Sequence, residues 1–101
     1  MHLISPEFEA LFKDYPLYSQ EHQSDPLVLA KIFDPVGSAT FYLTEYDPKE
    51  ANAFSFVTGL QEDEWGYISI KELESIERPL GMKMERDLAW IPKRFSETKS
   101  K

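Results

Sequence analysis

There is no cysteine among the 101 residues. That excludes a disulfide-stapled scaffold, a thiol nucleophile and any thiolate metal site. It also suits a reducing compartment, so a cytoplasmic location is expected. Histidine is scarce. His2 and His22 are too few for a metal triad, and Glu21-His22 followed by Asp25 reads as a polar loop, with weak metal binding as the sharper alternative. Long apolar runs are missing as well: none approaches the roughly 20 residues of a membrane span, so no membrane association is expected. The opening MHLISPEFEALF lacks a basic stretch followed by an apolar one and is not expected to act as a secretory signal. No serine sits in a G-x-S-x-G elbow, and no G-x-x-x-x-G-K-S/T phosphate loop occurs. Neither a cofactor nor a metal is expected.

Apolar residues make up 42% of the chain and aromatics 14%. That is enough for one core, hence a single domain over residues 1–101 with a frayed tail at 95–101. The formal net charge is −7, and it is unevenly placed. Residues 45–77 carry nine acids against two lysines, whereas residues 92–101 carry four bases against one acid. So acidic a body repels a phosphate backbone, and no direct nucleic-acid binding is expected.

The chain is organised around a hairpin over residues 30–48, AKIFDPVGSATFYLTEYDP. Strands at 27–33 and 40–46 flank Asp34-Pro35-Val36-Gly37, which has the residue order of a type I turn, with Gly37 expected at positive φ. Ser5-Pro6-Glu7 starts a short helix whose apolar face is Phe8, Leu11 and Phe12. Leu17-Tyr18 begins a short extended piece, and residues 20–26 form a polar loop. A third strand is read at 53–58, where Phe54 and Phe56 alternate with Ser55 and Val57. An acidic turn follows at 61–65, then a short strand at 66–68. Ser69-Ile70-Lys71-Glu72 is a capping box opening a helix with Ile70, Leu73 and Ile76 on one side. Residues 82–90 read as a further strand. The fold class expected is α+β: a mostly antiparallel sheet of four to five strands with one or two short helices packed on it.

Arg86 falls on a strand face otherwise occupied by Met, Leu and Trp, and a buried guanidinium needs a carboxylate. Glu45, on the same parity as Phe41 and Leu43, is the partner read for it. The alternative is a ligand-binding arginine in a cleft. Glu45, Asp47, Glu85 and Asp87 form a carboxylate cluster if their strands are neighbours, which would suit a hard cation or a pair of hydrolytic carboxylates. Solvated charge is the plainer reading. Trp65, set in Glu62-Asp63-Glu64-Trp65, is the aromatic read as an interface anchor. Most of the other aromatics are expected in the core or at its edge.

The stretches PLYSQE at 16–21, DPLVLAKIF at 25–33, TFYLTEYDP at 40–48, FVTGL at 56–60, EWGYISIKELESI at 64–76 and ERDL at 85–88 resemble a bacterial "domain of unknown function" family. Its members are small acidic proteins of plasmids, integrative elements and phages, and modules of polyvalent proteins. The chain departs from the family pattern at Phe41, in place of Trp, and at Ser55, in place of Gly. The resemblance implies a context and no catalytic residues. Gln20, Glu21, Glu45, Asp47 and Arg86 are the polar part of the shared pattern, and Gln20, Glu21 and Asp47 mark a candidate cleft. The first functional expectation is a non-enzymatic accessory that occupies a basic site on a host protein. Its binding residues would be Glu62, Asp63, Glu64, Trp65, Glu72 and Glu74. In the mobile-element context this suggests an anti-CRISPR or anti-restriction inhibitor. The alternative is a carboxylate-based hydrolase, possibly metal-dependent.

Overall fold

The computed structural model describes residues 3–99, and its longest strand, Thr40–Asp47 (β3), is the centre of the sheet. The strands around it are Ala30–Phe33 (β2), Asn52–Thr58 (β4), Glu64–Ser69 (β5) and Glu85–Arg86 (β8). All neighbours are antiparallel, in the order β5-β4-β3-β2-β8. Two short two-stranded sheets flank this one. Leu27–Val28 (β1) pairs with Lys93–Arg94 (β9), and Glu77–Arg78 (β6) pairs with Met82–Lys83 (β7). The helices are Pro6–Leu11 (α1) and Ile70–Ser75 (α2). The architecture is the α+β fold expected.

Both helices start where side-chain chemistry places them. Ser5 accepts the amide of Phe8 at 3.1 Å, with Pro6 at the first helical position. Ser69 accepts the amide of Glu72 at 3.2 Å. Six-residue helices are too short to stand alone, so both depend on the sheet they cover. Phe8 of α1 and Phe12, the residue that caps its end, close over Tyr46, with ring centroids 5.0 and 5.6 Å away. Ile70 and Leu73 of α2 complete the same core, together with Ile32, Phe41, Leu43, Ala53 and Val57. On β4 it is therefore the small residues Ala53, Ser55 and Val57 that face the core, and Phe54 and Phe56 that face away.

The hairpin turn forms with the amide of Gly37 donating to the carbonyl of Asp34 at 3.3 Å. Gly37 is not at positive φ, contrary to expectation. A Cβ there would sit 2.6 Å from Asp34 Oδ2, so a side chain at 37 would have to displace that carboxylate. That carboxylate lies 2.8 Å from Arg78 Nε, an ion pair whose Nε–H is not aimed at an acceptor. Gly59 does have positive φ, 86°, and a Cβ on it would lie 1.8 Å from the carbonyl oxygen of Ser38. Ser38 Oγ donates to the carbonyl of Gly59 at 2.6 Å, so the two hairpin turns lock together here.

Two expectations need correction, and a third segment takes a form the sequence did not suggest. Residues 17–18 are not extended: Tyr18 sits at φ 73° inside a run of turns. Residues 82–90 are not one strand. They break into β7, β8 and a turn over 87–90, in which the amide of Trp90 donates to the carbonyl of Asp87 at 3.1 Å. Within the tail expected to fray, 95–101, Phe95–Lys99 takes the form of a 3-10 helix. Asp25 holds it by accepting the amide and hydroxyl of Ser96 at 2.8 and 2.7 Å. His2 and the last two residues lie outside the described residues.

Candidate functional site

A bulge in β3 decides where the polar residues go. Pairing with β4 runs Leu43 to Ser55 and then Glu45 to Phe54, so one residue is skipped and the alternation shifts by one. A single inserted residue moves every later side chain to the opposite face. Glu45 therefore leaves the face of Phe41 and Leu43 and joins that of Phe54. Arg86, paired opposite Ile32, stays on the core face. The expected Glu45–Arg86 pair is thereby ruled out. Arg86 Nη2 instead donates to Glu7 Oε1 of α1 at 2.7 Å, with its guanidinium carbon 5.8 Å from the centre of the Phe8 ring.

On the opposite face, Glu45 is 2% exposed. One oxygen accepts the amide of Tyr18 at 2.7 Å, and the other accepts that of Gln20 at 2.9 Å. Gln20 is equally engaged. Its side-chain nitrogen donates to the carbonyls of Leu27 and Thr44, both at 2.8 Å, and its side-chain oxygen accepts the amide of Leu27 at 2.8 Å. These two residues, both read as site candidates, hold the polar loop against the sheet. Together with Glu21 they line a hollow of about 320 Å³ whose apolar wall is Phe54 and Trp65. Asp47 lies outside it and accepts the amide of Lys49 at 3.1 Å, closing the β3–β4 turn. Glu85 and Asp87 lie on and just beyond β8, which β2 separates from β3, so the four carboxylates do not converge. Among the described residues no group of three or more His, Cys, Asp or Glu is placed to hold a metal.

The outward face of β4 and β5 is aromatic. Trp65 stacks on Phe54 at 5.5 Å and 10°, and meets Phe56 and Phe95 at 5.1 and 4.9 Å. Tyr67 continues the row, 4.9 Å from Phe54 and 6.3 Å from Tyr18. Its hydroxyl titrates above the ordinary tyrosine value, through partial loss of water first, then its hydrogen bond with Tyr18 and the charges of Glu45 and Glu21. Trp65 is 37% exposed, and Tyr67 and Tyr18 more so. Reading most aromatics as core material missed this face. The signal for it is the pair of period-two patterns, Phe54-Phe56 and Trp65-Tyr67, on strands joined by a short turn.

Glu62, Asp63 and Glu64 stand exposed at the turn before Trp65, with Asp63 Oδ1 also accepting the amide of Gly59 at 3.3 Å. Glu72 is exposed on α2, at the far end of β5, about 16 Å away at the usual strand rise. Glu74 faces inward and accepts the amide of Ile4 at 2.7 Å, which makes it a tie to the amino-terminal segment instead of a surface contact. No lysine or arginine occurs in residues 18–26 or 60–67. Aromatic rings and carboxylates thus share one surface, and these two stretches bring no lysine or arginine to it.

A family model covers residues 3–97, nearly the whole chain. The chain belongs to the family described as protein of unknown function (DUF2958). No curated protein and no solved structure matches it. The two departures from the family pattern read in the sequence, Phe41 and Ser55, are both buried on the core face, away from the aromatic surface. Among the described residues no helix is long and apolar enough to cross a membrane.

Proposed function

We propose that this DUF2958 protein is a non-enzymatic accessory that binds a basic site on another protein. The observation that carries the reading is the placement of Trp65. It is part exposed at the centre of an aromatic row, directly after three exposed acids at a hairpin turn. Acidic residues steer encounter with a positive partner, and a large aromatic that loses water on docking supplies the affinity that charge alone does not. Two bases of the carboxy-terminal segment, Lys93 and Arg94, are engaged internally. Arg94 donates to the carbonyl of Asp25 at 3.3 Å, and Lys93 lies 4.5 Å from the centre of the Trp90 ring. This argues against direct nucleic-acid binding through those two residues.

The mobile-element context implied by the family resemblance suggests the partner class: a host defence nuclease, whose nucleic-acid channel is basic. The protein would then be an anti-CRISPR or anti-restriction inhibitor acting in the bacterial cytoplasm. The test is affinity capture from the native host with quantitative mass spectrometry. The parent protein and a Glu62→Gln, Asp63→Asn, Glu64→Gln variant are compared. A protein with a basic surface, retained by the parent and depleted with the variant, is expected. Equal recovery of every retained protein would count against the acidic turn as the binding site.

A further inference from the structure

The two outer strands of the main sheet differ. β8 is two residues long, and a short strand offers little to pair with. β5 is six residues long and contains no proline and no lysine, two of the usual devices that protect an edge. Among the described residues no other segment makes backbone hydrogen bonds to its outer side. A groove of about 580 Å³ runs beside it, lined by Val57, Leu60, Glu62, Glu64, Gly66 and Ile68 among others. At its middle is Gly66, where a Cβ would meet nothing within 4 Å. A glycine inside a strand often marks a place where another backbone approaches closely.

We infer that β5 is a docking edge for an extended basic segment of the partner, which adds as a sixth strand. This rests on the basic-partner reading above and names its mode. Backbone pairing along β5 supplies a sequence-independent contact, and side chains of the incoming strand alternate between the two sides of the sheet. On one side they meet Trp65 and Tyr67, where an ammonium or guanidinium gains from the ring faces. On the other they enter the groove beside Gly66, with Glu62 and Glu64 as counter-charges. A second copy of the chain is a poorer occupant, because each copy carries −7.

The probe is an octapeptide of alternating valine and lysine, titrated at low salt into the full ¹⁵N-labelled chain. A matched peptide carries N-methyl groups on its four central amides; it keeps the charge and cannot pair. The unmethylated peptide is expected to bind at least about tenfold more tightly and to slow amide exchange within Glu64–Ser69. Equal binding of both peptides without slowed exchange would overturn the edge pairing and leave the basic-partner reading standing. Binding of neither would overturn both. Protection of β5 amides by self-association in the absence of peptide would assign the edge to a second copy.

Discussion

Glu45 shows how one side chain sets the polar side of the sheet. Its two oxygens fix the amides of Tyr18 and Gln20, and so hold Tyr18 at a positive φ that a non-glycine residue seldom adopts. Glu45→Ala should cost about 3 kcal/mol in urea unfolding, since hydrogen bonds to a charged group are worth about 1.5–3 kcal/mol each. Glu45→Gln should cost less, because one amide can still be met. Equal stability of Glu45→Ala and the parent would mean that the loop is held by other contacts. Two buried hydroxyls behave oppositely. Among the described residues, Tyr46 Oη and Ser55 Oγ have no hydrogen-bond partner. Ser55→Ala and Tyr46→Phe should each leave stability unchanged or raise it by about 1 kcal/mol. Tyr46 also titrates high: burial first, then the charges of Glu9, Glu74 and Asp47, push its hydroxyl from 10.0 up to about 12. The folded state then resists ionisation more than the unfolded chain does. This contribution is complete below pH 10 and is lost as pH rises towards about 12. Tyr46→Phe should flatten that alkaline limb in denaturation measured across it.

At the scale of elements, legibility followed locality. Ser5-Pro6 and Ser69 with Glu72 announce helices through short-range capping, and Asp34 to Gly37 announces a turn; all three form. The bulge near Thr44 has no such local mark. Counting parity through it put Glu45 on the wrong face and gave Arg86 the wrong partner. Residues 82–90 alternate well enough to suggest one strand, yet Leu80 and Gly81 at positive φ turn the chain, and β8 keeps only two residues. The aromatic row needed β4 and β5 to be placed side by side before it could be seen. The docking of Phe95–Lys99 depends on Asp25, seventy residues earlier, which no window of sequence reveals. Hydrogen bonds from Ser96 lower the Asp25 pKa from 3.8, with Arg94 a lesser contributor. A carboxylate with a lowered folded pKa stabilises above its unfolded value and loses that contribution as pH falls through the folded one. Protection of the Ser96 amide, relative to its intrinsic exchange rate at each pH, should therefore fall below about pH 3.8 in the parent, and be low already at neutral pH in Asp25→Asn. No difference between the two would remove Asp25 as the tie.

For the whole molecule, the charge of −7 and the exposed aromatic surface bear on function together. The carboxylates are spread over separate strands, so thermal melts with and without millimolar magnesium, calcium, manganese or zinc should nearly coincide. A saturable rise of many degrees at low ion concentration would revive a metal-dependent hydrolase. The most direct test of binding is the association rate of a captured partner, followed against ionic strength. The Glu62→Gln, Asp63→Asn, Glu64→Gln variant is compared with the parent, and Trp65→Ala is followed for its dissociation. Screening shortens the reach of exposed charge to about 8 Å at physiological salt. The parent should associate faster at low salt and slow steeply as salt rises, the triple variant should be slow and nearly salt-independent, and Trp65→Ala should chiefly dissociate faster. Parent-like kinetics from both variants at low salt would contradict binding through the acidic turn and its tryptophan.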